Sequence, residues 1–231
     1  MVMTDNSFAP SPVSSAPHAE ETDFGFRSVR KEEKKPLVRA VFDSVAGKYD
    51  VMNDLMSLGI HRVWKRIFVT ELGPQPGLSL LDLAGGTGDI TFGWLKGGGG
   101  PAIMTDINAS MLSVGRDRAL SRGFVSDLSF CVVDAEAIPL KDMSVDRVSI
   151  AFGLRNCTDK LAVIREARRV LPAMGNLIAK DRDSYQYLAE SIRMFPDQET
   201  LADMFREAGL SHVRYQSLSG GIAAIHSGWR L

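Results

Sequence analysis

Cysteine is almost missing from this 231-residue chain, which carries only Cys131 and Cys157. Two isolated thiols cannot build a disulfide framework or a cysteine-based zinc site, and both fit a reducing compartment. Long apolar runs are lacking as well, since no stretch approaches the ~20 residues that cross a bilayer. Nor is there an excess of charge. The 27 Lys and Arg nearly cancel 28 Asp and Glu, giving a net charge of -1 and no electrostatic reason to expect a nucleic-acid partner. Internal repeats are absent. Residues 1–23 have neither the basic start and apolar core of a signal peptide nor the arginine content of a transit peptide. Rich in Ser, Pro and Ala and carrying Glu20, Glu21 and Asp23, they read as a disordered tail on a cytoplasmic protein. The remaining composition, 45% hydrophobic and 24% charged, is that of one soluble globular domain with an appendage.

The most informative segment is Leu80-Leu81-Asp82-Leu83-Ala84-Gly85-Gly86-Thr87-Gly88-Asp89. An apolar run stops in three glycines spread over four positions and an amphipathic stretch follows, as where a buried parallel strand turns sharply into a helix. Glycine suits a place where a ligand lies against bare backbone, because a Cβ would collide with it. Further on, Ala102-Ile103-Met104-Thr105-Asp106 ends a second strand in a carboxylate. An acid about 20 residues past such a turn is where a Rossmann-like unit holds the two hydroxyls of a ribose. A dinucleotide is disfavoured. Counting G-x-G-x-x-G from Gly86 puts Thr91 where the third glycine belongs, and Asp82 and Asp89 flank a turn with no basic residue in it. Such acids repel a pyrophosphate. They suit a nucleoside with a cationic centre and no phosphate, and S-adenosylmethionine fits that description.

Periodicity organises the rest. A first helix presents Leu37, Val38, Val41, Phe42 and Val45 on one face, a stripe better suited to the core than to a groove for a prenyl tail, and closes at Gly47. A second helix spans 61–71. Together they form an N-terminal helical cap over the C-terminal edge of a sheet. Strands are expected over 79–83, 102–105, 128–133 and 146–151, with helices over 89–96 and from an Asn108 or Ser110 cap to Gly123. Thr158 is expected to cap a helix that repeats Leu161, Ile164, Ala167 and Leu171. A last helix runs from Pro196 to Gly209, followed by a hairpin over 212–218 and 222–226. This alternation predicts an α/β fold with a doubly wound, mainly parallel sheet and a C-terminal antiparallel hairpin. The divisions are a tail over 1–23, a cap over 24–76 and a nucleoside-binding domain over 77–231.

The motifs resemble one family closely. Val41-Phe42-Asp43-Ser44-Val45-Ala46-Gly47-Lys48-Tyr49-Asp50-Val51-Met52-Asn53-Asp54 is similar to the ubiquinone/menaquinone biosynthesis C-methyltransferases. So are Ser57-Leu58-Gly59-Ile60-His61-Arg62-Val63-Trp64-Lys65, Asp82–Asp89, Phe152-Gly153-Leu154-Arg155-Asn156 and Asp183-Ser184-Tyr185-Gln186-Tyr187-Leu188-Ala189-Glu190-Ser191. The resemblance implies a Rossmann-like class I methyltransferase that transfers methyl from S-adenosyl-L-methionine to a ring carbon of a polyprenyl benzoquinol or naphthoquinol. It implies that the turn Gly85, Gly86, Thr87 and Gly88 and the acid Asp106 hold the cofactor, with Asp134, Ala135 and Ala151 beside its adenine. Asp134 can accept from the adenine amino group, whereas Ala151 stands where family members often carry a serine hydroxyl. No metal is implied. A peripheral contact with the inner face of the membrane, a homodimer and a complex of quinone-pathway enzymes are left open. One departure matters. After Pro172 the chain runs straight into Ala173-Met174-Gly175-Asn176-Leu177-Ile178-Ala179, so a piece of at least about 30 residues is absent, one βαβ-sized unit. A central strand of the sheet is therefore missing or replaced by a weak substitute.

A quinol carbon becomes nucleophilic when its neighbouring hydroxyl loses a proton, so a base or cation near that oxygen helps. The catalytic candidates are Arg155, which stabilises the phenolate, Asn156, which orients the ring oxygens, and Tyr49, which closes the site. Arginine keeps its proton, so it acts as a cation rather than as a free base, and His61 is the rival base. Plainer roles stand beside these: Arg155 as partner of Asp50 or Asp159, Tyr49 as core packing, and His61 as a structural residue at a helix start. Two further functions remain open, a methyltransferase for another small acceptor and a cofactor-binding scaffold without turnover.

Overall fold

In a computed structural model the described residues are 21–25, 27–45, 57, 59–124, 126–181 and 195–231. A small hairpin opens the chain, β1 (Glu21–Phe24) pairing antiparallel with β2 (Arg27–Arg30). It begins inside the stretch read as tail. Helix α1 (Lys31–Val45) follows directly, starting one and a half turns earlier than its apolar pattern, with Pro36 inside it. Helix α2 (Ile60–Leu72) comes next, closed by the left-handed Gly73.

The alternating region follows the expected rhythm. It comprises β3 (Leu80–Leu83), α3 (Asp89–Lys96), β4 (Ala102–Asp106), α4 (Ala109–Ser121), β5 (Leu128–Val132), β6 (Arg147–Ala151), a single 3-10 turn (Leu154–Asn156) and α5 (Lys160–Val170). The last part comprises β7 (Gly175–Asp181), α6 (Gln198–Glu207), β8 (Ser211–Leu218) and β9 (Ala223–Arg230). Asn108 caps α4, its side-chain oxygen accepting from the backbone N–H of Ser110 and Met111. Asp159, not Thr158, caps α5, accepting from the Ala162 N–H at 2.9 Å. The expected cap is drawn away because the backbone N–H groups of both Thr158 and Asp159 donate to Glu136.

Seven strands form one sheet in the order β5-β4-β3-β6-β7-β9-β8. The first five run parallel, and β9 pairs antiparallel with both β7 and β8. The place of a missing central strand is taken by β7, which pairs with β6 from Arg147↔Asn176 to Ala151↔Lys180 and with β9 along seven residues. The substitute satisfies the ladders that an empty slot would have left open. The hairpin reaches Arg230 rather than stopping at 226, because β9 is held on both edges.

One core cluster covers one face of the sheet with α5 and α6, through Val163, Ile164, Val170, Leu201 and Phe205. Another gathers Trp64, Phe68 and Leu72 of α2 against Leu80, Ile90, Trp94 and Ile225. Of the two leading helices, α2 thus packs on the flank of the sheet, and α1 alone crosses the strand ends. The substitute strand carries a defect: Asn176 is 4% exposed, and its Oδ1 has no hydrogen-bond partner among the described residues. An unmade buried bond costs about 1–3 kcal/mol, whereas an apolar side chain of similar shape avoids it. Asn176→Leu should therefore stabilise the protein by about 1 kcal/mol, seen as a melting temperature about 2–4 °C higher. A lower melting temperature would refute this reading.

Candidate functional site

The C-terminal ends of β3, β4, β5 and β6 converge on one cavity. Its walls include Ala84, Gly86, Asp106, Asp134, Ala135, Ala151, Gly153 and Asn156. Helix α1 closes the outer side with Lys35, Val38, Arg39 and Phe42. The stripe read as core thus turns Val38 and Phe42 onto the cavity. A second cavity adjoins it along Ala84, Gly86, Ala151 and Phe152 and is lined further by Lys65, Gly85, Thr87 and Asp89.

The turn after β3 is built by close approach. The Gly85 N–H donates to the Thr105 carbonyl at 2.7 Å, and a Cβ on Gly85 would come within 2.9 Å of Met104 Cγ. Gly88 has φ +91, and a Cβ there would lie 2.6 Å from the Phe92 ring. Gly88 is therefore dictated by the chain itself, and the bare-backbone argument applies to Gly86, which faces the cavity. Two further residues hold left-handed conformations with a side chain present, Ala84 at φ 50 and Phe152 at φ 61. Both follow a strand and both line the two cavities. Strain of this kind is held in place by its surroundings and gathers at functional sites. The two turns touch, since a Cβ on Gly153 would come within 2.3 Å of the Ala84 Cβ.

Asp106 sits at the centre. Its Oδ2 accepts from the Gly86 N–H at 3.0 Å and its Oδ1 from the Asn108 N–H at 2.9 Å. Burial pushes its carboxyl up to about 6, against the pull of those two backbone donors. Asp82 is also raised to about 6 by burial, and the hydroxyls of Ser149 and Thr91, each 2.7 Å away, only partly offset it. Asp89 differs. Burial raises it too, but Lys65 at 2.7 Å and Arg118 at 2.8 Å together outweigh that and hold it at about 2. The charge argument from sequence therefore needs correcting: Asp89 is neutralised by two cations distant in the chain, Lys65 and Arg118, and the acids that line the main cavity are Asp106, Asp134 and Glu136.

Asp106 also links acidity to pH. A carboxyl raised from 3.8 to about 6 in the folded protein favours its protonated form. Its contribution to stability is complete below pH 4 and is lost as the pH rises through 6. Hydroxyl donors on a ligand need the ionised form. S-adenosylhomocysteine should therefore bind about tenfold more tightly at pH 7 than at pH 5 by calorimetry. A flat profile would exclude Asp106 as the acceptor.

The sequence candidates separate into groups. Gly86, Asp106, Asp134, Ala135 and Ala151 line the main cavity, Gly85 and Thr87 the adjoining one, and Gly88 stands behind the turn. Asn156 is on the wall, and its buried Oδ1 has no hydrogen-bond partner among the described residues. Arg155 is 1% exposed in the same 3-10 turn and is not among the described cavity-lining residues. Tyr49 lies outside the described residues. His61 is 6% exposed with Nδ1 2.6 Å from Ser57 Oγ, away from the described walls of both cavities. Sequence reasoning gave no site role to Lys35, Arg39 or Lys65, although Lys65 closes one of the motifs that carry the family resemblance. Arg39 donates to the Ile107 carbonyl at 2.8 Å and Asn108 Nδ2 to Asp43 Oδ1 at 2.9 Å, which pins α1 across the strand ends.

Comparison with known proteins bears on the family and the fold. The model of the ubiE/COQ5 methyltransferase family matches residues 27–171 and 169–230. The ubiquinone/menaquinone biosynthesis C-methyltransferase UbiE of Acidiphilium cryptum is 58% identical over 244 residues, covering 92% of this chain and 98% of its own. Its namesake from Laribacter hongkongensis is 48% identical, covering 91% and 98%. The family match breaks at residues 169–171, just before Pro172. An alignment of 244 positions that takes in 92% of 231 residues leaves about 30 positions of the relative without a counterpart, the size of one βαβ unit. Among solved structures, a chain from the complex between the Haloferax volcanii Trm112 methyltransferase activator and a methyltransferase shares the fold. It has a TM-score of 0.69 at 20% identity, over 84% of this chain and 97% of that one. A SAM-dependent methyltransferase from Aquifex aeolicus superposes with a TM-score of 0.62 at 20% identity, over 72% and 89%.

Proposed function

Because the chain belongs to the ubiE/COQ5 methyltransferase family, we propose that it methylates a ring carbon of a polyprenyl benzoquinol or naphthoquinol, with S-adenosyl-L-methionine as methyl donor. The observation that carries this is the convergence of Gly86, Asp106 and Asn156 on one cavity, with an acid for a ribose on one wall and, on the other, an acceptor that has no partner among the described residues. The residues present fit the cofactor. Gly86 offers bare backbone at the turn, Asp106 accepts from sugar hydroxyls, and Asp134, Ala135 and Ala151 border the place for adenine. The bound cofactor supplies an electrophilic methyl group on a sulfonium.

What the protein adds is position and charge. Holding two reacting partners in line can lower a barrier by about 7–11 kcal/mol. Asn156 accepts from a ring hydroxyl and fixes the orientation of the quinol. Arg155, behind it in the same turn, favours the phenolate by its positive charge, which is worth most in a site with little water. No described helix is long and apolar enough to cross a membrane; contact with a membrane surface is suggested by the polyprenyl substrate, not by a spanning segment. Incubating the purified protein with labelled methyl donor and demethylated quinols, beside a panel of simple phenols, tests the assignment. Methylation of phenols but not of quinols would overturn it.

A second reading draws on the break before Pro172. A chain that has lost about one βαβ unit and rebuilt its sheet with β7 could bind cofactor without turnover and serve as a scaffold for other quinone-pathway enzymes. Tight binding of S-adenosylhomocysteine with no methylation of any quinol would favour this reading.

A further inference from the structure

Exposed apolar side chains gather at one edge of the protein. Ile60 and Val63, 40% and 50% exposed, sit three residues apart at the start of α2, a spacing that makes them neighbours on a helix. The turn between β8 and β9 comes up against the same helix, for Trp64 Nε1 donates to Ser219 Oγ at 2.9 Å. Ile222, 45% exposed, stands at the end of that turn.

The charge around them is of one sign. Arg62 and Arg66 are exposed beside Val63, and residues 60–70 hold Arg62, Lys65 and Arg66 but no Asp or Glu. Lys65 turns inward to Asp89, and the next acid along the helix, Glu71, pairs with Arg214. On a chain with a net charge of -1 this is a local cationic surplus. Topology brings it beside the cavities. β9 runs antiparallel to both β7 and β8, so β8 ends at the edge where β3 to β6 end. Helix α2 finishes at the opposite edge, its Leu72 carbonyl accepting from Arg147 Nε at the start of β6. Its first turn therefore lies at the cavity edge, and Lys65 in the next turn lines the adjoining cavity.

Single exposed apolar residues are ordinary; these differ in being grouped with arginines at the mouth of a site. Such a face fits the boundary of an anionic bilayer, where alkyl groups enter the acyl region and guanidinium groups meet the phosphates. Resting on the reading that the substrate carries a polyprenyl tail, we propose that Ile60, Val63, Ile222, Arg62 and Arg66 form the face by which the protein docks on an anionic lipid surface. Docking there turns the cavity edge toward the leaflet that holds the tail, so the ring enters while the tail stays in lipid.

Co-sedimentation of the full chain with vesicles tests this, using an equimolar mixture of phosphatidylglycerol and phosphatidylcholine beside phosphatidylcholine alone. The wild type is expected to bind the mixture and to bind the neutral vesicles about thirtyfold more weakly. Arg62→Gln with Arg66→Gln should weaken binding to the mixture by about the same factor, the share of two arginines at an anionic surface, and Arg62→Lys with Arg66→Lys should keep it. Val63→Ser with Ile222→Ser, one from each element, should weaken it by about tenfold. Leu120→Ser, at an exposed apolar site on α4, should change nothing. No binding to the mixture, equal binding to both compositions, binding that survives either weakening pair, or an equal loss in Leu120→Ser would each overturn the proposal. So would a dimer dissolved by Val63→Ser with Ile222→Ser in place of vesicle binding, which would give the face to a second copy. Binding is read without quinol, so a chain that docks but methylates no quinol refutes the substrate reading alone. Methylation of a short-tailed quinol without docking refutes the face alone.

Discussion

Asn156→Leu is expected to lower kcat by about a hundredfold or more while leaving the affinity for S-adenosylhomocysteine within about twofold, the range seen when one oriented polar group is removed from a reacting centre. The argument starts from an imbalance. Asn156 Oδ1 is buried on the cavity wall and has no hydrogen-bond partner among the described residues. Folding gains nothing from an atom without a partner, and replacing the side chain with leucine, of the same branched shape, removes the acceptor. Stability should therefore hold or rise while turnover falls. That opposition distinguishes a residue kept for chemistry from one kept for structure, since a structural residue would lose both. Single-turnover methylation and thermal melting, measured on the same preparation, check it. Unchanged turnover, or a large fall in melting temperature, would remove Asn156 from the reaction.

Asp106→Asn should act on the other half of the site, weakening S-adenosylhomocysteine by about a hundredfold, as the loss of one to two hydrogen bonds to a charged group predicts. The substitution preserves shape. It removes the charge and places an amide NH2 against one of the two backbone donors, Gly86 or Asn108, which donate to the two Asp106 oxygens from 3.0 and 2.9 Å. Two consequences are expected together: poorer capture of the ribose, and a binding curve that no longer depends on pH near 6. Calorimetry between pH 5 and 7 reads both. A dissociation constant within threefold of the wild type would mean that the sugar is held elsewhere, and the proposed cofactor geometry would fall with it.

Much of this site could be read from the chain alone, and the reason is local. A strand that ends in closely spaced glycines has few ways to turn into a helix, and Gly86 and Gly88 hold φ values of +56 and +91 as that turn requires. The acid at Asp106 follows because a parallel strand must return beside the first before it can end at the same edge. Cap residues were legible for α4, where Asn108 has no competitor, and misread for α5, where Glu136 from another turn engages the Thr158 backbone.

Sequence by itself determined the alternating fold, the bend after β3 and the carboxylate that closes the neighbouring strand at Asp106, because each follows from local pattern and backbone sterics along a strand and its turn. Tertiary structure decided which charges are real. Asp89 is neutralised by Lys65 and Arg118 from 24 and 29 positions away, and Asp134 is joined to Lys35 across 99. It also decided that Gly175–Asp181 becomes an inner strand, since that role is set by the vacancy between β6 and β9 and not by the propensity of the segment. Pairings at such separations leave no periodic trace in a sequence, for they follow from where whole elements come to rest against one another.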